Sequence, residues 1–140
     1  MLRIAVRNLQ KKASLSPGRI KRLIKRALKE EGIRAGGEIT VSFINDSLIR
    51  KLNKRYLKKT GPTDVLAFNN AGPFNRKGLY ADIIVSSDTA IHNAKIFNTT
   101  PSHELTLYSI HGLLHLLGYD HNSCRKSKIM RGKELKYVHT

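Results

Sequence analysis

One stretch of sequence decides how this chain is arranged: His111-Gly-Leu-Leu-His-Leu-Leu-Gly-Tyr-Asp-His121, with histidines at i, i+4 and i+10. On an α-helix of 3.6 residues per turn, His111 and His115 lie on one face. Gly118 is suited to the left-handed backbone conformation that ends a helix, so the chain can turn back and bring His121 toward the other two. Three imidazoles then converge on one point, with room for water. The stretch therefore predicts an open metal site.

The ligand set favours zinc. Neutral imidazole nitrogens suit Zn²⁺ best, although nickel, copper and iron also bind them. Three protein ligands leave a fourth position for water, which is typical of a catalytic site. We predict one Zn²⁺ ion held by His111, His115 and His121 plus water, with Cys124 as an alternative fourth ligand. Surface positions are predicted for the other histidines, which lack partners at ligand spacing: His92, His103 and His139.

The histidine spacing is that of the metzincin zinc proteases, with one difference. Those enzymes carry a glutamate directly after the first histidine, as general base. Here that position is Gly112, which cannot accept a proton, so the spacing predicts the ligand geometry without supporting protease chemistry. Asp120, adjacent to His121, either orients a ligand imidazole or acts as a base, or else is a loop residue that makes a turn.

Composition and length bound the type of protein. The chain has 140 residues, 40% of them hydrophobic, which predicts a single domain over residues 1–140. With one cysteine, neither a disulfide framework nor a cysteine-based zinc site is available. No apolar run approaches the roughly 18 residues that cross a membrane, and the first residues alternate like a strand and do not resemble a signal peptide. We therefore expect a cytoplasmic protein without a membrane partner.

The net charge of +16 is unevenly distributed. Residues 1–60 hold 17 Lys and Arg against 4 Asp and Glu, whereas residues 61–140 hold 9 against 6. A basic first half joined to a histidine-bearing second half favours a surface for a polyanion, and nucleic acid is the obvious polyanion. The alternative is a basic face that serves only solubility or heat tolerance.

Hydrophobic periodicity predicts the element order β-α-β-α-β-β-α-α-α. Ser16-Pro17 begins the first helix, with serine as N-cap. Thr63–Phe68 and Leu79–Ser86 are predicted strands, Ser87-Asp88 is the predicted cap of the next helix, and Thr100-Pro101 begins the helix that carries the histidines. This order predicts an α+β fold. We expect a single small domain with a mixed sheet of about four strands flanked by helices. The metal-site helix is expected to pack on the sheet.

The histidine stretch resembles the signature of the YbeY family, the bacterial rRNA maturation factors. Further likenesses follow in the same order along the chain: Leu52-Asn53, Pro62–Phe68 (Pro-Thr-Asp-Val-Leu-Ala-Phe) and Ala81–Ser86 (Ala-Asp-Ile-Ile-Val-Ser). The likeness covers about residues 40 to 121. It implies a zinc-dependent, single-strand-specific endoribonuclease that matures the 3′ end of 16S rRNA and acts in ribosome quality control. The implied partners are rRNA and the small ribosomal subunit, and the implied zinc ligands are the three histidines.

The chain departs from the family pattern at several positions. The family usually has an arginine directly after the tyrosine that follows Leu-Asn, and here Tyr56 is followed by Leu57. Three substitutions are smaller departures: Ala67 for serine, Asn69 for proline and Ala81 for glycine. The metal ligands therefore carry over from the family, whereas catalytic competence depends on what replaces the arginine.

Apart from Asp120 in the histidine stretch, the candidate residues for the reaction lie from the end of the second helix to the start of the third strand. Arg55, Lys58 and Lys59 are expected to hold the RNA backbone and to offset developing charge. Asp64, with Thr63, either lines the site or forms a cap and a turn. The catalytic candidates are accordingly Arg55, Asp64 and Asp120.

Two other functions stay open from the sequence. One is a ribosome-assembly RNA-binding factor with a mainly structural metal, an alternative that the Leu57 departure keeps open. The other is a metal hydrolase that does not act on RNA, which Gly112 and the basic surface argue against. The attacking group is either water or the RNA 2′-hydroxyl.

Overall fold

The computed structural model describes residues 2–34, 36–57, 65–70, 78–120 and 122–139, without the side chains of residues 53 and 55–57. Within these ranges the elements follow the predicted order. They are β1 Leu2–Asn8, α1 Pro17–Glu30, β2 Gly37–Ile44, α2 Asp46–Leu57, β3 Val65–Asn69, β4 Leu79–Ser86, α3 Ser87–Phe97, α4 Pro101–Leu116 and α5 Cys124–Val138.

The strands form a mixed sheet in the order β1-β2-β4-β3. Strands β1, β2 and β4 run parallel, and β3 runs antiparallel to β4. Ile83 of β4 lies opposite Val41 of β2 on one side and Ala67 of β3 on the other. The predicted α+β fold with a four-stranded mixed sheet is confirmed.

The two faces of the sheet are covered by different helices. Since successive side chains of a strand point to opposite faces, Val41 and Ile83 enter the main core with side chains of α1, α4 and α5. Ile84 points the other way, toward a smaller apolar cluster that includes Ile49 of α2 and Leu66 of β3. Helices α4 and α2 therefore lie on opposite sides of the sheet.

The sequence signals for helix starts are confirmed at α1 and need correction at α3. The hydroxyl oxygen of Ser16 accepts a hydrogen bond from the backbone N–H of Arg19 at 3.3 Å, with Pro17 as the first helical residue. For α3 the predicted cap at Ser87 is wrong, because Ser86 accepts from the N–H of Thr89 at 3.1 Å. Ser86 is the last residue of β4 and still extended, which is the conformation that a cap requires.

Helix α4 is buried on most sides, as its apolar sequence predicts. Thr100 caps it, and Glu104 in its first turn is buried but paired, accepting hydrogen bonds from Thr99 Oγ1 (2.9 Å) and Tyr108 Oη (3.3 Å). Although α4 is largely apolar, no helix in the described part of the chain is both long and apolar enough to cross a membrane.

Candidate metal centre

The end of α4 has the geometry that the histidine stretch predicts. Gly118 has a φ of +101°, in the region that favours glycine. Its N–H donates to the carbonyl of His115 at 3.1 Å, and the N–H of Tyr119 donates to that of Leu114 at 3.0 Å. These two bonds are the Schellman pattern that reverses a chain after a helix. The turn follows directly after the second histidine, as predicted.

The side chains of His111 and His115 meet at their outer nitrogens. The two Nε2 atoms lie 3.0 Å apart, and the rings stand nearly perpendicular, at 82°, with centroids 4.6 Å apart. About a quarter of the His111 side chain, 24%, is exposed, so the pair lies at the edge of the core and within reach of solvent. The predicted third ligand, His121, lies outside the described residues.

This pair fits a zinc ion. Two nitrogens at about 2.0–2.1 Å from a tetrahedral zinc lie about 3.3 Å from each other, close to the observed Nε2 separation. Both facing atoms are of the kind that binds zinc in proteins. Among the described residues no three His, Cys, Asp or Glu side chains come together as a metal site, and these do not include the predicted third ligand.

Behind His111 lies a carboxylate that the sequence analysis missed. Glu134 of α5 and Nδ1 of His111 form a short hydrogen bond, on the opposite edge of the ring from Nε2. The Glu134 side chain is only 15% exposed. One signal was available in the sequence, since Glu134 is the only acidic residue in the basic segment 122–140.

Gly112, the position of the protease general base, faces the sheet. A Cβ atom there would lie 2.8 Å from Cγ2 of Ile83 and 3.0 Å from Cγ2 of Val65. Helix α4 therefore approaches β3 and β4 closely because residue 112 has no side chain. A glutamate at this position would be directed into the core and away from the two Nε2 atoms.

The loop after α4 holds Asp120 in a turn. Its carboxylate accepts a hydrogen bond from the N–H of Asn122 at 3.1 Å and lies 3.6 Å from Nζ of Lys126. This is the turn-forming interpretation of Asp120, and its proposed part in the reaction stays a prediction. Cys124, at the start of α5, is exposed and forms no disulfide bond.

The other predicted residues are placed only in part. His92 and His139 are exposed, and half-buried His103 lies near His139 with ring centroids 6.1 Å apart. The backbone of Arg55 belongs to α2, and its side chain is outside the described residues. Three further candidates also lie outside them: Lys58, Lys59 and Asp64.

A second carboxylate, Glu31, binds both the loop after α4 and helix α5. It accepts hydrogen bonds from the hydroxyls of Tyr119 and Tyr137 and from Nζ of Lys133 at 3.0 Å. Burial raises the pKa of Glu31, but these three donors outweigh burial and leave the pKa below its usual value. Burial and the nearby Glu31 charge raise the pKa of both tyrosines.

A known protein family matches nearly the whole chain. The family model described as endoribonuclease YbeY matches residues 5–140 of the chain. The chain belongs to the endoribonuclease YbeY family. This places it among endoribonucleases, which are nuclease hydrolases.

Relatives in the YbeY family cover most of the chain. The endoribonuclease YbeY of Syntrophus aciditrophicus is 38% identical over 136 residues, covering 94% of this chain and 84% of the relative. That of Bacillus licheniformis is 36% identical and covers 82% and 78%. Among solved structures, the solution structure of TM1509 from Thermotoga maritima matches with a TM-score of 0.63 and 29% identity, over 97% of this chain and 87% of the other. The YbeY resemblance given by the sequence motifs is confirmed.

Proposed function

We propose that this chain is a zinc-dependent endoribonuclease specific for single-stranded RNA, with His111, His115 and His121 as zinc ligands. Support comes from its family membership and, above all, from the two Nε2 atoms that face each other at 3.0 Å. A zinc ion there would supply Lewis-acid polarisation of the scissile phosphate and of the attacking group. His111 and His115 would contribute their Nε2 lone pairs, and the Glu134 carboxylate accepts a hydrogen bond from the Nδ1–H of His111.

Exposed basic side chains on α1 and α5 support an RNA substrate. The two helices pack together, since the Arg19 guanidinium donates to the carbonyl of Val138 at 3.4 Å and Lys136 lies 3.4 Å from Glu30. Helix α5 also carries Glu134, which contacts His111, so the helix connects this basic surface to the candidate metal centre. The exposed cations are Arg19, Arg22, Lys25, Arg26 and Lys29 of α1 and Arg125, Lys126, Lys128, Arg131 and Lys136 of α5. Such a density of positive charge suits the phosphate backbone.

The remaining roles follow from the family likeness and the sequence. Arg55, Lys58 and Lys59 hold the RNA backbone, and Asp64 and Asp120 are the candidates for proton transfer. The biological substrate is the 3′ end of 16S rRNA, the partner is the small ribosomal subunit, and a further role is ribosome quality control in the cytoplasm. The packing of Gly112 against Ile83 and Val65 disfavours a metal-dependent peptidase. It leaves no place for the glutamate that acts as general base in the zinc proteases.

The test is cleavage of a labelled single-stranded RNA by the zinc-loaded chain and by two variants. His115→Ala is expected to lose more than about 100-fold in rate, since even a residue behind a ligand is worth about 10- to 100-fold. The control is His92→Ala, which removes an exposed histidine and is expected to cleave like the parent.

Two outcomes would contradict the proposal. Equal cleavage by the parent and His115→Ala would remove the metal from the reaction. Tight, salt-sensitive RNA binding without cleavage by the zinc-loaded parent would instead favour the RNA-binding factor with a structural metal.

A further inference from the structure

Glu134 occupies an unusual place on α5. The side chains of Met130, Glu134 and Tyr137 are spaced i, i+4 and i+7, so they lie along one face of the helix. Met130 and Tyr137 are buried members of the core, whereas the residue between them is a carboxylate with only 15% of its side chain exposed. A carboxylate in an apolar stripe is costly unless a donor satisfies it, and here the donor is the Nδ1–H of His111.

This contact decides which nitrogen of His111 is available. When Nδ1 carries the proton and donates it to Glu134, Nε2 keeps its lone pair, and Nε2 is the atom that faces His115. The same hydrogen bond fixes the rotation of the ring about its Cβ–Cγ bond. A carboxylate behind a ligand imidazole also strengthens the other nitrogen as a metal donor.

Helix α5 is held so that Glu134 must face His111. Its neighbour in sequence, Lys133, pairs at 3.0 Å with Glu31, the residue that caps the C-terminal end of α1, and Tyr137 one turn further on donates to the same carboxylate. These contacts fix the rotation of α5 about its own axis. Adjacent residues of a helix point about 100° apart, so with Lys133 directed to α1, Glu134 is directed to α4.

We infer that Glu134 is a positioning residue of the metal centre: its carboxylate holds His111 in the tautomer and orientation that present Nε2 to the metal. The inference rests on the proposed metal site and deepens it. It assigns to α5 a part in metal affinity, beyond covering the core. Glu134 itself neither binds the metal nor touches RNA in this role.

The experiment measures the zinc dissociation constant by competition with a chromophoric chelator, in the parent chain and in three variants. Glu134→Ala removes the acceptor and is expected to weaken zinc binding about 10- to 100-fold. Glu134→Gln keeps an oxygen that accepts from Nδ1–H but loses the charge, so a smaller loss is expected. The matched control is Glu30→Ala. Glu30 is also a carboxylate that contacts α5, through Lys136, but its ion pairs are with Lys136 and Arg26 and not with a histidine, so unchanged affinity is expected.

A second readout separates positioning from a merely structural contact. The visible absorption bands of the Co²⁺-loaded protein report ligand geometry. They should change in Glu134→Ala and match the parent in Glu30→Ala. Lower thermal stability of Glu134→Ala with unchanged zinc affinity and unchanged cobalt bands would overturn the inference. If Glu134→Ala does not fold, Glu134→Gln decides: affinity equal to that of the parent overturns the inference.

Failure of the proposed function has a different signature. A parent chain that binds no zinc would overturn the metal site, and the inference with it. A parent that binds zinc and loses none of its affinity on substitution of Glu134 would overturn the inference alone.

Discussion

Glu31 and Glu134 both hold helix α5 to its neighbours, and their side chains are similarly buried, at 9% and 15% exposed. They differ in what they bind. Glu31 accepts from two tyrosine hydroxyls and one ammonium group, drawn from α5 and from the loop after α4. Glu134 accepts from one imidazole, whose other nitrogen faces His115.

The difference shows how partner chemistry separates a structural carboxylate from a functional one. The donors on Glu31 are hydroxyl and ammonium groups and not candidate metal ligands, so these bonds bear on the metal centre only by holding α5 in place. The imidazole on Glu134 has a second nitrogen, so the same type of bond also sets the state of an atom at the candidate metal centre. Burial alone would rank the two carboxylates as equivalent.

The largest expected effect on stability is that of Glu31→Gln. It removes the charge that Lys133 pairs with and leaves one acceptor for three donors, so we expect about 2–4 kcal/mol less stability, given about 1.5–3 kcal/mol for one hydrogen bond to a charged group. Chemical denaturation measures it. The matched control is Glu30→Gln, whose side chain is 30% exposed and whose ion pairs at 3.4 and 3.6 Å are worth less than about 1 kcal/mol. Equal losses in the two variants would contradict the comparison.

Alanine substitutions at two helical glycines, Gly112 and Gly132, should differ in stability by a somewhat smaller amount. Alanine at Gly112 meets side-chain carbons of Ile83 and Val65 within 3.0 Å, whereas alanine at Gly132 of α5 meets nothing within 4 Å. Both substitutions gain helix propensity, so the difference isolates the packing cost. We expect Gly112→Ala to be less stable than Gly132→Ala by about 1–3 kcal/mol, the usual cost of overpacking. Thermal denaturation of both variants measures it, and equal stability would show that β3 and β4 yield to the added methyl group.

Acid should weaken the fold through Glu31. Its folded pKa is lowered, so its contribution is fully present above its ordinary pKa and is lost as the pH falls through the lowered folded value. The parent and Glu31→Gln should therefore differ most near neutral pH and converge in acid. Denaturant midpoints measured between about pH 7 and 2 test this. A constant gap across the series would assign the stabilisation to shape and not to charge.

The smallest effect concerns the two tyrosines on Glu31. Burial and then the carboxylate raise the pKa of Tyr119 and Tyr137, so both should titrate above the ordinary tyrosine value of about 10. In Glu31→Gln the carboxylate contribution disappears while burial stays, so both pKa values should fall part of the way back. NMR titration of the tyrosine side chains follows each residue separately. Unchanged values in the variant would leave burial as the sole cause.

Local signals predicted most of the fold. The bounds of β4, the cap at Ser16 and the turn at Gly118 all depend on neighbours in sequence, and each is confirmed. The cap of α3 was placed one residue late, because Ser86 and Ser87 have the same side chain and only the backbone conformation of Ser86 distinguishes them.

Contacts between residues far apart in the chain could not be predicted from sequence patterns. Glu134 lies 23 residues from His111, and Glu31 lies 88 residues from Tyr119, so no periodicity connects the partners. The approach of His111 to His115 was predictable because the two residues share one helix, whereas the metal itself stays a proposal. The sequence also showed Gly112 only as a missing base, whereas the structure shows why no side chain is present.

The contact at Gly112 also bears on how enzymes of this kind could be redesigned. Placing the glutamate of the zinc proteases at position 112 would first require smaller side chains in place of Ile83 and Val65. Those substitutions would remove buried methyl groups from β3 and β4 and weaken the packing of α4, the helix that carries His111 and His115. A single substitution therefore does not connect the two chemistries, and any route between them passes through a rebuilt interface between α4 and the sheet.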